Sequence, residues 1–392
     1  MPSLRLSRDD TGARAFTADC GYKNRKIALN IWQPFERREF AMADQTGRNT
    51  SVESASPDAL LEMASASWTT QALYVAARLD IAELLANGPM SGGELAQATG
   101  AHARSLFRLM RALVSLGICA QNSDDRFVLT GLGGYLRRGV PGSVHGMVLH
   151  WGGQLWETWS HLFDSVMTGK TARSLLHGEG AFETFAKHPE QAAVFNQAMV
   201  DITERAAQGV LRSYDFSSMR RVVDVGGGYG ALLAAILRAN SALCGVLLDL
   251  PHAIAGAKRY LEERGVLERC ELVEGSFFDS VPGPADACLL KSVIHDWPDE
   301  QSAAILENCR KAVAPTAGKV LLVERIVPPR IEPLPAHQGI VRGDLNMMVA
   351  AGGCERTQEE FDTLLGRAGL RRARIIPTDS GFDVIEASLF SA

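Results

Sequence analysis

The sequence predicts an α/β protein, with a Rossmann-like, doubly wound parallel sheet in its C-terminal part and a mainly helical, winged-helix-like N-terminal part. Two observations support this prediction. From residue 221 onward, short apolar runs typical of buried strands alternate with stretches of helical apolar spacing, which is the pattern of a parallel sheet covered by helices. Between residues 56 and 213, apolar residues recur mostly at spacings of three and four, which predicts helices.

The composition restricts the class of protein. The 392 residues, 46% of them hydrophobic, suffice for a large core and for about two or three domains. The formal net charge of -5 is not that of a typical nucleic-acid-binding protein. The seven cysteines lack metal-ligand spacing, and no apolar run is as long as a membrane span. We therefore expect a cytoplasmic protein without a metal ion and without nucleic-acid or membrane partners.

Residues 1–55 differ from the rest of the chain. The first 41 of them show no clear apolar periodicity, and they lack the continuous apolar core of a secretory signal. Asp9, Asp10 and Asp19 argue against a transit peptide, because such peptides are poor in acidic residues. We expect a disordered leader, or an upstream start codon with the natural start at Met42.

Residues 56–142 predict a winged-helix-like domain. Ser91 and Glu94 form the capping box of a short helix, Gly100 ends that helix, and a leucine-rich helix follows it. Two short apolar runs on either side of the polar turn QNSDD then predict a small hairpin. Such a domain either binds DNA or serves as a helical packing and dimerisation module. We favour dimerisation, because the basic stripe is modest and consists of Arg104, Arg108 and Arg111.

Residues 143–213 predict a helical linker that also lines a substrate-binding region. The segment is rich in tryptophan and phenylalanine, and aromatic residues at helical spacing belong to a core more often than to a ligand pocket. Phe195 and Met199 lie on one helix face within a single turn. They either share an acceptor pocket or belong to one core patch.

Residues 214–392 predict the sheet domain. The runs that predict its parallel strands are RVVDV, CGVLLDLP, CELVEGSFF, DACLLKSVI and GKVLLVERIVP. Helical stretches separate most of these runs, as expected for strand–helix–strand units. The last two runs, 372–378 and 383–389, predict an antiparallel pair at the edge of the sheet.

A glycine loop follows the first predicted strand. Gly226, Gly228 and Gly230 lie between this strand and its helix, where they allow backbone amides at a helix N-terminus to approach a ligand. Asp249 ends the second strand about 20 residues later, where a carboxylate can accept hydrogen bonds from both hydroxyls of a ribose. The two features together predict a cofactor that contains a nucleoside.

The chemical identity of this cofactor depends on the surrounding charge. The loop fits the dinucleotide pattern loosely, with Ala231 at its third position. Asp224 lies two residues before Gly226, however, and its negative charge opposes a pyrophosphate but suits a cationic amino-acid group. The antiparallel pair at the end of the chain also replaces the second mononucleotide-binding half. Both features favour S-adenosylmethionine.

His295 follows the fourth predicted strand, at the edge where open α/β sheets bind their ligands. A neutral imidazole in that place can accept the proton of an aryl hydroxyl. The alternative is a structural histidine that caps a helix or makes a hydrogen bond at the end of a strand. We favour catalysis, because Lys291 and the glycine loop predict a ligand site nearby. We expect the side chain of Asp296 to point elsewhere, for example to cap the helix that begins near Pro298.

Six ordered blocks carry a resemblance to a known family: VVDVGGGYG, LLDLP, GSFF, LLKSVIHDWPDEQ, LLVERIVP and DLNMMVAAGGCERTQEEF. With the winged-helix-like front part, they resemble the two-domain small-molecule O-methyltransferases that use S-adenosylmethionine. This family includes plant caffeate, acetylserotonin and bacterial polyketide and phenazine methyltransferases. The resemblance covers residues 56–390, and it implies a class I methyltransferase sheet and a homodimer that forms through the front domain.

The resemblance also implies the residues of the site. The methionine part of the cofactor would contact the glycine loop, and the ribose would contact Asp249. The implied cofactor residues are Asp224, Gly226, Gly228, Gly230, Asp249, Leu250, Ser276, Phe277, Lys291 and Trp297. Ser276 departs from the family, whose members often carry an acidic residue there. The implied acceptor-binding residues are Asn346 and Met347, in addition to Phe195 and Met199.

His295 would be the general base, and Glu324 and Glu355 would orient it. The resemblance thus implies methylation of a hydroxyl group on an aromatic or polycyclic small molecule of secondary metabolism. Two alternatives stay open at this point. One is a family member in which the cofactor assists a reaction other than methyl transfer, and the other is a DNA-binding regulator.

Overall fold

The structure is a computed structural model that describes residues 6–8, 14–16 and 56–390. Most of the predicted leader, residues 1–55, lies outside the described residues. The predicted start at Met42 also lies outside them. Two short strands within the leader are described, β1 (Leu6–Arg8) and β2 (Arg14–Phe16), and they pair antiparallel to each other.

The front part has the predicted order of helix, turn, helix and hairpin. Its elements are α1 (Pro57–Arg78), α2 (Ile81–Ala86), α3 (Gly92–Thr99), α4 (Ala103–Ser115), β3 (Cys119–Gln121) and β4 (Phe127–Leu129). Strands β3 and β4 pair antiparallel. Ser91 and Glu94 form the predicted capping box at the start of α3. Phe127, Met110 and Leu113 are fully buried at the centre of this part, so the hairpin packs on the leucine-rich helix α4.

A series of helices follows. They are α5 (His145–Leu149), α6 (Leu155–Ser160), α7 (Leu162–Thr168), α8 (Ala172–His177), α9 (Ala181–Lys187) and α10 (Pro189–Ser213). A π-helical turn, His150–Gln154, joins α5 to α6. The long helix α10 packs against α5 on one side and against the first helix of the sheet part on the other. It therefore connects the two halves of the compact unit that begins at Pro57. The domain limits 56–142, 143–213 and 214–392 stay predictions.

The rear part contains a seven-stranded sheet in the order β12-β13-β9-β8-β5-β6-β7. Its strands are β5 (Arg221–Val225), β6 (Cys244–Asp249), β7 (Cys270–Glu274), β8 (Ala287–Lys291), β9 (Lys319–Glu324), β12 (Leu370–Ile376) and β13 (Asp383–Leu389). Strand β13 runs antiparallel to both of its neighbours, and β5 to β9 are parallel. The predicted parallel sheet with a final antiparallel pair is confirmed.

The remaining elements cover the sheet or follow it. They are α11 (Ala231–Ala239), α12 (Pro251–Glu263), α13 (Asp299–Val313), β10 (Ile326–Val327), α14 (Pro335–Asn346), β11 (Arg356–Thr357) and α15 (Gln358–Arg367). Several predicted strands were too long. The run 286–294 ends as a strand at Lys291. The run 270–278 ends as a strand at Glu274, so Ser276 and Phe277 lie in the turn after it, and the run 318–328 divides at Arg325 into β9 and β10. None of the helices in the described part of the chain is long and apolar enough to cross a membrane.

Both faces of the sheet are buried. On β9, Leu321 and Val323 belong to the core on one face, and Val320 and Leu322 belong to the core on the other. All four side chains are fully buried. This explains why the strands appear in the sequence as continuous apolar runs and not as alternating patterns.

The order of the strands determines where a ligand can bind. The chain leaves β5 toward β6 on one side and later returns to place β8 on the other, so the sheet has a topological switch point at β5. The carboxyl ends of β5, β6, β8 and β9 meet at one edge. Asp249, Lys291 and Glu324 are the last residues of three of these strands, and the glycine loop follows the fourth.

The loop after β8 is held in place by a buried arginine. Arg356 is 1% exposed. Its guanidinium donates to the carbonyl of Ile294 at 3.0 Å, to the carbonyl of Trp297 at 2.8 Å and to Asp299 Oδ1 at 2.9 Å. These bonds fix the backbone on both sides of His295.

Replacing Arg356 by methionine is expected to lower the free energy of unfolding by about 3 kcal/mol, because two carbonyls and a carboxylate each lose a charged donor. Arg367→Met is the matched control. Arg367 contacts the same aspartate at 3.5 Å, but its side chain is 52% exposed, so its loss should cost less than about 1 kcal/mol. Urea unfolding of both variants measures the difference. Equal losses of unfolding free energy in the two variants would contradict the structural role of Arg356.

Candidate active site

The glycine loop turns sharply between β5 and α11. Gly226, Gly228 and Gly230 have φ angles of 68°, 61° and 78°, in the left-handed region that favours glycine. Gly227, which the sequence analysis did not single out, has a different constraint. A Cβ atom at Gly227 would lie 2.4 Å from Asp224 Oδ2, so any larger residue would displace this carboxylate.

Two carboxylates face this loop from β5 and β6. Asp249 Oδ2 accepts a hydrogen bond from the Gly228 amide at 2.7 Å, and its Oδ1 accepts one from the Leu250 amide at 2.6 Å. Asp224 is 1% exposed, and its Oδ2 has no hydrogen-bond partner among the described residues. Burial raises the pKa of Asp249 to about 6, and burial together with the charge of Asp249 raises the pKa of Asp224 to about 7. The arrangement favours a cationic ligand.

An aromatic group closes one side of the cleft. A Cβ atom at Gly226 would lie 3.2 Å from the ring of Phe277, so this ring lies against the glycine loop. Trp297 makes edge contacts with Phe277 and Phe278, with ring centroids 6.0 and 4.8 Å apart. The Phe278 amide donates to Ser276 Oγ at 3.2 Å. The structure therefore brings Ser276, Phe277 and Trp297 together beside the loop.

His295 lies among buried carboxylates at the ends of β8 and β9. Its Nδ1 is 3.1 Å from Glu355 Oε1 and 3.8 Å from Glu324 Oε2. Glu324 Oε1 accepts hydrogen bonds from the amides of Val293 and Ile294 at 3.0 and 2.9 Å. Glu324 therefore holds the loop, and Glu355 contacts the imidazole directly.

The expectation for Asp296 was wrong. Its Oδ1 lies 3.6 Å from His295 Nε2, and helix α13 begins at Asp299 without a side-chain cap. The reason is local. Residues Ile294–Asp296 form a 3-10 turn, so neighbouring side chains do not point to opposite sides as they would in a strand. Asp296 is therefore a third carboxylate near the imidazole.

The charges in this cluster act on one another. Burial lowers the pKa of His295, but the attraction of Glu324 and Asp296 and the contact with Glu355 outweigh burial and raise this pKa to about 9. Burial raises the pKa of Glu324 and that of Asp296 to about 6 each, although the charge of His295 opposes both shifts. The imidazole is thus an unusually strong base for a histidine.

Lys291 and Arg325 lie beside the cluster. Burial lowers the pKa of Lys291 to about 8, while the charge of Glu324 opposes this shift. Lys291 Nζ is 4.7 Å from the ring centroid of Phe382, and the Arg325 guanidinium is 4.8 Å from the same centroid. Arg325 Nη1 also lies 3.8 Å from Glu355. Arg325 and Phe382 were not among the predicted site residues.

The donor atoms of His295, Glu324 and Glu355 all lie within 4.8 Å of one another, which is also compatible with a metal site. The imidazole Nδ1 is already within hydrogen-bond distance of Glu355, as expected for an acid–base pair. The absence of a metal ion stays a prediction.

The predicted acceptor-binding residues lie on α10 and at the end of α14. The Phe195 ring stacks on Phe185 with centroids 4.6 Å apart, and it contacts His150 at 5.5 Å. Asn346 Oδ1 accepts a hydrogen bond from Trp159 Nε1 at 3.0 Å. Met347 is buried and begins the π-helical turn Met347–Ala351, while Met199 is half-buried one helical turn after Phe195.

Two further residues connect this region with the cleft. Phe182 on α9 stacks on Trp297, with centroids 5.4 Å apart. Asn196 on α10 is 4% exposed, its Nδ2 has no hydrogen-bond partner among the described residues, and its Oδ1 would lie 3.7 Å from a Cβ atom at Gly228. Neither residue belongs to a motif, so no signal in the sequence marks them.

Comparisons with known proteins agree with this geometry. Residues 159–371 match the O-methyltransferase domain family, and residues 61–137 match the O-methyltransferase dimerisation domain family. The chain is 41% identical to a phenazine O-methyltransferase of Lysobacter antibioticus, over 84% of this chain and 95% of the relative. The crystal structure of LaPhzM superposes with a TM-score of 0.81 at 40% identity, covering 85% of this chain and 99% of that one.

A third match was solved with ligands. An O-methyltransferase from neocarzinostatin biosynthesis, in complex with S-adenosylmethionine and 2-hydroxy-5-methyl naphthoic acid, superposes with a TM-score of 0.70. It is 33% identical and covers 82% of this chain and 96% of that one. Other relatives include both O- and N-methyltransferases.

The seven-stranded sheet and the site at its carboxyl edge define a class I methyltransferase. The chain belongs to the S-adenosylmethionine-dependent O-methyltransferase family of secondary metabolism, and its front part belongs to the family of dimerisation domains. It is accordingly a methyltransferase, and S-adenosylmethionine is its cofactor.

Gly353 is a structural constraint on the site. A Cβ atom there would lie 2.2 Å from the carbonyl oxygen of His295 and 2.4 Å from the amide nitrogen of Trp297. Gly353→Ala should therefore displace the His295 loop and lower the free energy of unfolding by about 1–3 kcal/mol.

The control for this prediction is Gly366→Ala. Gly366 is exposed in α15 and has open space around it, and alanine is the better helix former by about 1 kcal/mol. Thermal unfolding of the two variants under identical conditions compares them. An unchanged midpoint for Gly353→Ala would refute the close approach.

Proposed function

We propose that the protein transfers the methyl group of S-adenosylmethionine to a hydroxyl group of an aromatic or polycyclic small molecule, with His295 as the general base. The observation that supports this best is the buried pair of His295 and Glu355, with Nδ1 and Oε1 3.1 Å apart. The pair lies at the same edge of the sheet as the glycine loop. The other imidazole nitrogen, Nε2, makes no hydrogen bond within residues 56–390, where its nearest carboxylate oxygen is Asp296 Oδ1 at 3.6 Å, so it can accept a proton from a substrate.

The chain offers a suitable environment for the cofactor, which supplies the methyl group and the leaving group for the reaction. The unpaired Oδ2 of Asp224 provides negative charge for a cationic amino-acid part. Asp249 uses one lone pair of each oxygen for backbone amides, and its other lone pairs can accept from the ribose hydroxyls. The residues proposed to bind the cofactor are Asp224, Gly226, Gly228, Gly230, Asp249, Leu250, Ser276, Phe277, Lys291 and Trp297.

The proton of the acceptor hydroxyl passes to Nε2 of His295 in this proposal. Glu355 accepts a hydrogen bond from Nδ1–H, which keeps Nε2 as the basic nitrogen. The charges of Glu324 and Asp296 stabilise the imidazolium that forms. A phenol has a pKa of about 10 and an ordinary histidine of about 6.5. Because these carboxylates raise the pKa of His295 above its usual value, proton transfer from a phenol is less unfavourable than it would be to an ordinary histidine.

The acceptor would bind against the aromatic side chains of α9 and α10. Phe182, Phe185 and Phe195 form a continuous group of ring contacts that reaches Trp297. A phenazine and a naphthoic acid, the compounds named for the relatives above, are fused aromatic rings of a kind that such a surface binds. We propose that Phe195, Met199, Asn346 and Met347 contact this acceptor.

We also propose that the protein forms a homodimer through its front part. That part matches a dimerisation domain, and large apolar side chains are exposed on its helix α1 and on α7, which follows it in the chain. They are Leu60, Leu61, Met63, Trp68, Phe163, Val166 and Met167. Apolar patches of this kind on a protein surface usually bind another chain.

His295→Ala should lower turnover by a factor of about 10²–10⁴ and leave the dissociation constant of S-adenosylmethionine nearly unchanged, because it removes the base and no proposed cofactor contact. Turnover is measured by mass spectrometry with hydroxyphenazine and hydroxynaphthoic acids as acceptors. Cofactor binding is measured by calorimetry.

His102→Ala is the control, since His102 is exposed in the front part, and both of its values should equal those of the wild type. Cofactor binding without any methylated product would favour the alternative of cofactor-assisted chemistry. Full turnover in His295→Ala would exclude the proposed base.

Treatment with EDTA should not change wild-type turnover. A loss of turnover that divalent cations restore would instead assign a metal to the cluster of His295, Glu324 and Glu355.

The ratio kcat/KM for the acceptor should rise with pH, because the base must be neutral. The midpoint of this rise should lie at or below the pKa of about 9 that His295 has without a ligand. The positive charge of bound S-adenosylmethionine lowers this pKa. Glu324→Gln removes an attractive charge but keeps an oxygen for the two loop amides, so the rise should move to lower pH by about one unit or more.

The hydroxyl of a phenolic acceptor also titrates in this pH range, and it would do so equally in every variant. Glu307→Gln is therefore a useful control, because Glu307 is a half-exposed carboxylate on α13 and the pH profile should not move. A profile that moves to higher pH in Glu324→Gln, or that stays unchanged, would contradict the role of this charge.

A further inference from the structure

Arg173 on α8 is a buried cation whose charge nothing in the described part of the chain balances. The residue is 3% exposed, and its Nε has no hydrogen-bond partner there. Within residues 56–390, no carboxylate lies within ion-pair distance of its guanidinium, and burial alone lowers its pKa. The other buried arginine of the described residues, Arg356, has five different hydrogen-bond partners.

An unpaired buried charge is unfavourable, and proteins usually pair such charges or use them to bind a ligand. Arg173 gains one favourable contact, because its guanidinium lies over the ring of Phe185, 5.5 Å from the centroid. A cation–π contact of this kind leaves the hydrogen-bond donors of the guanidinium unused. The donors are therefore available to an anion.

Arg173 lines a cavity of about 570 Å³, a volume in the range of small-molecule sites. The other lining residues are Gly153, Gln154, Glu157, Leu176, His177, Glu179, Thr184, His188 and Gln191. The two carboxylates among them do not balance Arg173. Glu179 is hydrogen-bonded to Lys187, and Glu157 is exposed to solvent.

This cavity adjoins the aromatic group of the proposed acceptor site. Phe185, which lies beneath the guanidinium, stacks on Phe195. His150 contacts Phe195 from another side. Burial together with the charge of Arg173 lowers the pKa of His150 to about 4, although its hydrogen bond to Gln154 Oε1 opposes this shift. The guanidinium is thus separated by a single ring from a residue proposed to contact the acceptor.

We infer that Arg173 binds a carboxylate group of the aromatic acceptor, so that the natural acceptors are hydroxylated aromatic acids. A planar guanidinium can bind a carboxylate through two parallel hydrogen bonds, which fixes the orientation of the ring that carries it. Arg173 is in this view a specificity-determining residue and not part of the chemical step. The inference rests on the proposed function in so far as the ligand is a methyl acceptor.

The test compares three probes that share one ring system: 1-hydroxy-2-naphthoic acid, its methyl ester and 1-naphthol. Their dissociation constants are measured by calorimetry on the full chain saturated with S-adenosylhomocysteine. The wild type should bind the acid at least about 10-fold more tightly than the ester, as expected for charge-assisted hydrogen bonds. In Arg173→Met, which keeps an unbranched apolar side chain, the acid-to-ester ratio should fall to within about threefold.

Two further variants separate this effect from damage to the fold. Arg173→Lys keeps the charge but not the paired donors, so part of the preference for the acid should remain. Lys170→Met removes an exposed cation three residues away, and its acid-to-ester ratio should equal that of the wild type. Each variant must also bind S-adenosylhomocysteine with the affinity of the wild type, which shows that the sheet part is folded.

Three outcomes would overturn the inference. They are equal binding of acid and ester by the wild type, a preference for the acid that survives in Arg173→Met, and binding of inorganic phosphate that depends on Arg173 while acid and ester bind equally. The last outcome would assign the site to a free anion. Failure of the proposed function would look different, since it would appear as a loss of cofactor binding or of methyl transfer with every acceptor. The ratios between the dissociation constants of the three probes do not depend on turnover.

Discussion

The site depends on the carboxylate of Glu324, which accepts hydrogen bonds from two consecutive amides of the loop after β8. These bonds attach the end of β8 to the end of β9 and set the position of His295. The same carboxylate lies with Glu355 and Asp296 around one imidazole, in an environment where unpaired negative charge is costly. The imidazole therefore balances the carboxylates that hold it, and the fold of the loop and the basicity of His295 have one physical origin.

Much of the sheet could be predicted from sequence, because strands buried on both faces appear as continuous apolar runs and helices separate most of the parallel ones. The glycine loop and Asp249 were predictable for a similar reason, since backbone geometry restricts the residues that can stand there. The pairing of His295 with Glu355 was accessible only through the family resemblance, because the two residues are 60 positions apart. Asp296 was misjudged because a 3-10 turn cannot be distinguished from the end of a strand by pattern alone.

The helices that surround the acceptor region were the least predictable. Asn196, Phe182 and Arg173 belong to no motif, and apolar spacing on short helices does not distinguish a core side chain from one that lines a pocket. Their significance depends on packing between α8, α9 and α10, which one sequence does not determine. Arg173 would be taken for an ordinary surface residue, and only its burial without an anion makes it exceptional.

Residues 353–356 have a consequence for how such enzymes diversify. Gly353 lies against the backbone at His295, Glu355 contacts the imidazole, and Arg356 binds the carbonyls on either side of it. The imidazole of His295 and the carboxylate of Glu355 thus belong to two segments that are locked together, apart from helices α8 to α10. Changes on α8 to α10 can alter the shape and charge of the pocket while the distance between imidazole and carboxylate stays the same. New acceptors can then evolve without rebuilding the pair of His295 and Glu355.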